Sequence, residues 1–369
     1  MRPTIALGAN VYRLRKEARL TQDDLASHLG VTKASVSKWE TCQSYPDIEL
    51  LPRIAAYFDV TLDDLMGYEP QMSRADIRRE CARLREAFAC EPFGRAHDAC
   101  RRLVGEYYAC YPLLAQMAVL YLNHLGLADD AEREVLTREA IDLCHRVRHN
   151  SGDSSDIRLA EAVEASLQLV SGNPQAAVQT LGGVPVVDVG VDLLLASAYD
   201  AMGRADEADE ALQGALFQSL VLDLNRLAQM GMLYSDNATK LDIVHDRARV
   251  IIDAFDMESL YVNSAAIHLS FAMAYMGGAD IPRALDCLED YERACRKLEF
   301  PIRLHGDAFF DRVESWIEDA NTMGTSAPRV DALSKASLVD SVAANPAFAS
   351  LAEDPRFIRI VESIREIVR

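Results

Sequence analysis

Residues 22–41, QDDLASHLGVTKASVSKWET, decide the fold of the N-terminal part of this 369-residue chain. Their pattern predicts two short helices joined by a tight turn. Leu25 and Leu29 share one face of the first helix, because residues four apart lie one turn above each other. Gly30 stands where the chain must reverse, and glycine enters left-handed backbone conformations without steric cost. Thr32 can cap the helix that follows, so the stretch predicts a compact two-helix unit.

The second helix of this unit has one apolar and one polar face. Val36 and Trp39 lie three residues apart and can pack back onto the first helix. The opposite face is formed by Lys33, Ala34, Ser37 and Lys38. That face is small, polar and cationic and carries no acidic residue. Because lysine bonds guanine edges or phosphates and serine hydroxyls bond either, the helix is predicted to enter a groove of duplex DNA.

Residues 5–68 resemble the Cro/CI-type (XRE family) helix-turn-helix domain, a five-helix, lambda-repressor-like DNA-binding module. LTQDDLA matches its second helix, SKWE the end of its third, and YPDIELLPRIAAYFDVTLDDLMGY its fourth and fifth. The first helix matches through the apolar stripe of Leu7, Val11 and Leu14. The resemblance implies a DNA-binding domain over residues 1–68.

The resemblance also implies roles for individual residues. The position of Gln22 touches phosphate at a helix N-terminus, and Arg15 and Glu40 match a pair that ties the first helix to the end of the third. The implied DNA-contacting residues are Thr21, Gln22, Thr32, Lys33, Ala34, Ser35, Ser37, Lys38 and Gln43. One departure is Cys42, which stands where the family usually has glycine. If the backbone there has a positive φ, cysteine costs about 1 kcal/mol.

Charge is distributed unevenly along the chain. The whole chain has a net charge of −19, whereas residues 1–46 hold seven Lys/Arg and four Asp/Glu and are net +3, which leaves −22 for the remainder. Phosphate binding needs local positive charge. The DNA contact is therefore predicted to lie in the N-terminal domain, and the acidic body is predicted to have another role.

Composition favours an all-α protein of the cytoplasm. Half of the residues are apolar, and no stretch approaches the length of about eighteen apolar residues that a membrane helix needs. Neither secretion nor a membrane partner is expected. The eight cysteines show no CxxC pair and no zinc-ligand spacing, so reduced thiols are expected and no metal site is predicted. The absence of a Gly-rich phosphate loop, GxSxG or HExxH predicts that the chain is not an enzyme and has no cofactor.

The body of the chain contains repeated helical units. One spacing is shared by two units, Ala196, Tyr199, Gly203, Ala208, Leu212 and Ala215, and Ala272, Tyr275, Ala279, Ala284, Leu288 and Tyr291. A partial copy is formed by Ala165, Gly172, Ala177 and Leu181. This spacing resembles the tetratricopeptide repeat (TPR), whose helix pairs stack into a curved α-solenoid with a concave binding surface.

These patterns predict four regions in the chain. They are the DNA-binding domain (1–68), a linker (69–73), a TPR-like repeat domain (74–321) and a C-terminal extension (322–369). A last helix over Ile358–Val368 places Ile360, Ile364 and Ile367 on one face. We therefore expect it to dock on the repeats as a cap.

Three asparagines are candidate ligand contacts. Regulators that join this type of DNA-binding domain to TPR-like repeats include the peptide-pheromone receptors of Gram-positive bacteria, in which asparagines on concave helices hold a peptide backbone. Asn123, Asn225 and Asn263 fall within predicted helices, where asparagine has poor propensity. Exposed or locally bonded asparagine is the alternative explanation.

The sequence predicts a dimeric, sequence-specific transcriptional regulator. Its partners would be double-stranded DNA, a second copy of the chain and a peptide or protein effector on the TPR-like domain. The alternative is a peptide- or protein-binding scaffold whose N-terminal module serves association. The two differ in salt dependence, because DNA affinity falls steeply as salt rises.

Overall fold

The computed structural model describes residues 6–67, 71–183, 190–261 and 263–368. Within these ranges the regular structure is helical, and an isolated antiparallel bridge joins Arg303 to Ser326. The prediction of an all-α fold is confirmed. The linker predicted at 69–73 lies partly outside the described residues, as do both ends of the domain predicted at 1–68.

The N-terminal domain has its own hydrophobic core. Its helices are α1 (Leu7–Glu17), α2 (Gln22–Leu29), α3 (Lys33–Glu40), α4 (Leu51–Phe58) and α5 (Leu62–Met66), with a 3-10 turn at Ile48–Leu50. The buried side chains at its centre include Leu25, Val36, Trp39, Ile54 and Leu65. In the parts that the structure describes, no hydrogen bond or ion pair joins this domain to residues after 70. The domain is therefore held together by its own contacts.

The helical body continues from residue 74. Its helices are α6 (Arg74–Cys90), α7 (Phe93–Glu106), α8 (Tyr111–His124), α9 (Asp130–Asn150), α10 (Ser154–Val170), α11 (Pro174–Leu181), α12 (Val191–Ala201), α13 (Ala205–Leu233), α14 (Ala238–Ala254), α15 (Met257–Leu260), α16 (Ser264–Gly277), α17 (Ile281–Arg296), α18 (Val313–Ala320), α19 (Asp331–Ala343) and α20 (Pro355–Ile367). Further 3-10 segments lie at Leu125–Leu127 and Pro346–Leu351.

Neighbouring helices of the body pack in pairs, as the repeat pattern predicts. α10 packs on α11, α12 on α13, and α16 on α17. The turns inside these pairs contain Gly172, Gly203 and Ala279, which occupy equivalent places in the three sequence copies and all have positive φ. The shared spacing therefore marks a shared turn geometry.

The last helix starts earlier than the sequence pattern suggests. α20 begins at Pro355 rather than at Ile358, because the carboxylate of Asp354 accepts hydrogen bonds from the next backbone N–H groups. Proline is favoured at the first helical position because its missing N–H would have no partner there. α20 packs on α17 with Ile360 and Ile364 buried, so it docks on the body.

The body contains two separate hydrophobic clusters. One extends from Ile77 to Leu167 and the other from Phe217 to Ile364. Residues 321–330, which we call the inner strap, run between them. Arg78 of α6 donates to the Asn321 and Thr322 carbonyls at 3.0 and 2.5 Å, and Arg85 donates to the Ala327 carbonyl. The strap therefore ties the first helix of the body to its C-terminal half.

Burial raises the pKa of most of the thiols. Six of the eight cysteines are buried, and all eight are free. Burial raises the pKa of Cys81, Cys100 and Cys144 to about 12, and that of Cys287 and Cys295 likewise. Because the thiolate is the reactive form, these five are expected to resist oxidation.

We expect His245 to make the stability of the body sensitive to acid. Its ring stacks on Phe271 with centroids 4.5 Å apart and lies within 3.2 Å of the Tyr275 hydroxyl. Burial lowers the pKa of His245 to about 4 from an ordinary value of 6.5. Between pH 6.5 and 4, His245 is therefore protonated in the unfolded chain but neutral in the folded chain. The free energy of unfolding falls as the pH falls through this range. We expect a loss of roughly 1–2 kcal/mol between pH 7 and pH 5, measured by urea unfolding.

His245→Phe should flatten this part of the pH profile, because phenylalanine keeps the stacking surface and does not titrate. His149→Gln is the matched control, since His149 is exposed and should leave the profile unchanged. An unchanged slope in His245→Phe would contradict the assignment.

Candidate DNA interface

Helix α3 presents its polar face away from the domain core. Val36 and Trp39 are 0% and 5% exposed, whereas Lys33, Ala34 and Lys38 are exposed. Ser37 is half-buried. The helix is fixed at its start by Thr32, whose hydroxyl accepts from the Ser35 backbone N–H at 3.1 Å, and Ser35 Oγ lies 2.9 Å from the same hydroxyl.

Lys33 has an acidic neighbour that the sequence pattern did not indicate. Its Nζ lies 2.7 Å from Asp23 Oδ2, on the preceding helix. The lysine and aspartate side chains are 59% and 63% exposed, and such exposed pairs contribute about 0–1 kcal/mol. The pair therefore leaves Lys33 free to exchange Asp23 for a phosphate or a base edge. No ion pair of Lys38 is present among the described residues.

A buried ion pair fixes the end of α3. Arg15 Nε donates to Glu40 Oε1 at 2.5 Å and Arg15 Nη2 donates to Oε2 at 2.8 Å, while Nη1 donates to the Leu20 carbonyl at 2.8 Å. The arginine and glutamate side chains are 5% and 3% exposed. Gln22 Nε2 also donates to Glu40 Oε2, at 2.8 Å. Glu40 thus joins α1, the start of α2 and the end of α3.

The same contacts set the charge state of Glu40. Burial alone would raise the pKa of this carboxyl, but hydrogen bonds from Arg15 and Gln22 and the charge of Arg15 outweigh it and hold the pKa below its ordinary value. The hydrogen bonds that Arg15 donates to Glu40 in turn raise the pKa of Arg15. Both groups stay charged near neutral pH, as a forked arginine–carboxylate pair requires.

Helix α1 lies directly against the turn that follows α3. A Cβ on Gly8 would come within 2.3 Å of the Trp39 carbonyl oxygen, so this close approach needs glycine. Cys42 has φ 57°, the left-handed conformation in which the usual glycine would be unstrained. The loop after α3 therefore keeps the backbone geometry that the family has with glycine, and Cys42 is the strained residue in it.

The remaining predicted contact residues lie around the α2 N-terminus and the α3 C-terminus. Thr21 and Asp24 form a capping box, and these hydrogen bonds lower the pKa of Asp24. Gln43 is exposed, and its backbone N–H donates to the Lys38 carbonyl at 2.9 Å. Because Gln22 contacts Glu40, the start of α2 lies beside the end of α3. The predicted contact residues at these two helix ends therefore lie close together.

Acidic residues are most frequent in the second half of the domain sequence. Residues 47–64 hold Asp47, Glu49, Asp59, Asp63 and Asp64 against the single basic Arg53. The positive charge of the domain therefore belongs to α1–α3, which is the part that would attract phosphates.

The three candidate asparagines share one region of the body. Asn123 lies in the last turn of α8, and Asn263 precedes α16 instead of lying within a helix. Both line the same cavity. Asn225 lies in α13 and donates to the hydroxyl of Tyr261, which also lines that cavity. Asn123 and Asn225 also donate to the carbonyls four residues earlier, as in the alternative explanation of local bonding.

Comparison with known families identifies the first domain. The helix-turn-helix family model HTH_3 matches residues 11–65. The N-terminal domain is a helix-turn-helix domain. The XRE-type resemblance of the sequence is confirmed for this part of the chain, and α2 and α3 are its two central helices.

Two curated relatives share this helix-turn-helix domain. The HTH-type transcriptional activator BcrR of Enterococcus faecalis is 39% identical over 66 residues, which cover 18% of this chain and 32% of BcrR. The HTH-type transcriptional regulator YqaE of Bacillus subtilis is 35% identical over 60 residues, which cover 16% of this chain and 52% of YqaE. The chain thus spans about a third of BcrR and about half of YqaE.

Solved structures give distant similarities over more of the chain. The apo form of the competence regulator ComR from Streptococcus vestibularis has 14% identity and a TM-score of 0.27, over 87% of this chain and 99% of that one. Apo ComR from S. thermophilus has 13% identity and a TM-score of 0.26, and the match covers 87% of this chain and 100% of that one. Separately, none of the helices in the described ranges is both long and apolar enough to cross a bilayer.

Proposed function

We propose that this protein is a sequence-specific transcriptional regulator of the cytoplasm that binds double-stranded DNA as a homodimer. The observation that carries the proposal is the outward polar face of α3 in a helix-turn-helix domain. Lys33 and Lys38 are exposed there, and the opposite face of the helix is buried. In this class of domain the corresponding helix lies in the major groove with its N-terminal residues on base edges.

Contacts around α3 would be of two kinds: phosphate contacts that position the domain on the duplex, and base contacts that recognise the sequence. The backbone N–H groups of Gln22 and Asp23 at the start of α2 donate to none of the described residues and can meet a phosphate, and Gln22 Nε2 keeps a second hydrogen for one. Lys33, Ser37 and Lys38 would contact base edges. The pair of Arg15 and Glu40 would hold the start of α2 and the end of α3 in a fixed relative position.

Dimer formation follows from the size of this surface. One domain with a few lysine contacts binds weakly, and two domains on a two-fold symmetric site combine their contacts. The acidic body would supply the dimer surface, because its charge keeps it away from DNA.

The interior of the body would hold the effector. Asn123 and Asn263 come from opposite halves of the body and line one cavity, and Asn225 reaches Tyr261 of the same cavity. Amides that converge from separate helices can pair with a peptide backbone.

Selection of bound fragments from a random duplex library by the full-length protein tests the DNA-binding proposal. We expect a pseudo-palindrome whose half-sites lie about one helical turn, roughly 10 bp, or a multiple of it apart. Affinity for the selected site should fall steeply as salt rises, because binding releases counterions. Recovery of no enriched sequence, or an affinity that salt does not change, would favour the association scaffold instead.

A further inference from the structure

A cavity of about 560 Å³ lies inside the body, where its two halves face each other. It is bounded by the end of α8, the start of α16, α19 and the inner strap. Its size is within the range of about 300–1,000 Å³ that small-molecule sites occupy. A second cavity of about 240 Å³ lies across the strap, and the two share Asn123, Asn321, Ser326 and Pro328 in their walls.

The wall of the larger cavity carries a positive charge, whereas the chain as a whole is acidic. The chain has 57 acidic residues and a net charge of −19. Among the described residues that line the larger cavity there is no aspartate or glutamate, and Arg329 is the one charged side chain. The other polar lining groups are hydroxyls and amides, including those of Tyr261, Asn263 and Ser334. The wall therefore offers donors around one positive charge.

Arg329 has neutral partners. Its Nε donates to the Asn123 carbonyl at 2.7 Å and its Nη1 donates to Ser337 Oγ at 3.2 Å. Its Nη2 has no hydrogen-bond partner in the described part of the chain. Burial lowers the pKa of Arg329, and no carboxylate opposes this effect.

Three other arginines of the body are paired with carboxylates, whereas Arg85, like Arg329, has no carboxylate partner among the described residues. Arg148 contacts Glu164 at 2.8 Å, Arg293 contacts Glu258 at 2.9 Å and Arg356 contacts Asp286 at 2.8 Å. A partly buried charge without a counter-ion is costly, and a carboxylate that enters beside it recovers part of that cost. The arginine fork also matches the planar geometry of a carboxylate.

We propose that the larger cavity binds a ligand with a free carboxylate group and that Arg329 is the counter-charge for it. The hydroxyl and amide groups would hold polar atoms next to the carboxylate, and Leu260, Leu298 and Ile302 would contact an uncharged remainder. The carboxylate can come from the C-terminus of a short peptide or from a small organic acid. This inference names the chemistry of the effector and rests on the effector part of the proposed function.

The position of Arg329 connects such a ligand to the DNA-binding end of the chain. Arg329 belongs to the inner strap, and the strap is held by Arg78 and Arg85 of α6. Helix α6 begins at residue 74, close after the helix-turn-helix domain. A ligand that binds Arg329 would therefore contact the inner strap, to which α6 is hydrogen-bonded.

Native mass spectrometry of the full-length protein, without DNA, tests the inference. The probes are a pool of N-acetylated tripeptides of alanine, leucine and serine with free C-terminal carboxylates, the same pool as C-terminal amides, and decanoate. We expect carboxylate probes to bind at least about tenfold more tightly than the amides, as for a hydrogen bond to a charged group. Binding of the peptide acids identifies a peptide C-terminus, and binding of decanoate alone identifies a small organic acid; both support the site.

Arg329→Gln should remove this preference, Arg329→Lys should retain part of it, and Arg138→Gln, an exposed arginine on α9, should leave it unchanged. If Arg329→Gln does not fold, the comparison of acids with amides on the unaltered protein still decides. Measurable binding of peptide acids and amides with equal affinity, no binding of any probe at about 1 mM, or full preference in folded Arg329→Gln would overturn the inference. Since the measurement contains no DNA, its failure leaves the result of the duplex selection unaffected.

Discussion

Replacing Lys33 and Lys38 together with alanine is expected to abolish specific DNA binding while leaving the helical content unchanged. Both side chains lie on the exposed face of α3, so their removal creates no cavity. A base contact contributes about 1–3 kcal/mol, so loss of both should weaken binding to the selected site by roughly thirtyfold or more per domain. Fluorescence anisotropy with the selected duplex measures the change, and circular dichroism checks the fold.

The matched control for this variant is Lys240→Ala with Lys335→Ala. It removes the same two charges from the body, where Lys240 lies over the Tyr234 ring and Lys335 over the Phe300 ring. We expect it to bind DNA like the unaltered protein. A Lys33/Lys38 variant with normal affinity and a normal salt dependence would show that α3 does not read the duplex.

Replacing Glu40 with alanine is expected to destabilise the helix-turn-helix domain by about 3–5 kcal/mol. The change leaves the buried guanidinium of Arg15 with the Leu20 carbonyl as its remaining hydrogen-bond acceptor. Removal of one member of a buried ion pair leaves an uncompensated charge, which accounts for this magnitude. Gln22 also loses its acceptor, so the start of α2 would separate from the end of α3.

Urea unfolding monitored by tryptophan fluorescence measures this loss. The chain has two tryptophans, so Trp39 alone reports on the domain in a Trp316→Phe background. Replacing Arg15 with methionine and Glu40 with leucine together should recover most of the stability, because neither charge is then left without a partner. A loss below about 1 kcal/mol in Glu40→Ala would contradict the role given to this pair.

The same pair predicts a pH dependence of definite sign. Because the pKa of Glu40 is lowered in the folded domain, its stabilising contribution is complete above its ordinary value of 4.5. It is lost as the pH falls through the lowered value, where the carboxylate becomes protonated. The difference in stability between the unaltered protein and Glu40→Ala should therefore shrink in that acidic range.

Local patterns in the sequence determined the helices and their caps. Thr32, Gly30 and Val36 act within one or two turns of their own position, so cap, turn and buried face could be predicted from spacing. The repeat spacing predicted helix pairs and turns for the same reason. The departure from the family glycine at Cys42 left open whether the backbone there has a positive φ, and the structure shows that it does.

The tertiary structure alone decided which distant groups meet. The approach of Lys33 to Asp23 depends on how α2 packs on α3, and no spacing in the sequence encodes that distance. Asn123 and Asn263 line one cavity although 140 positions separate them. The inner strap lacks helical periodicity, so nothing in it predicted that Arg329 would be placed in that cavity without a carboxylate. Periodicity reports interactions within a helix, whereas these contacts depend on the packing of helices that are remote in sequence.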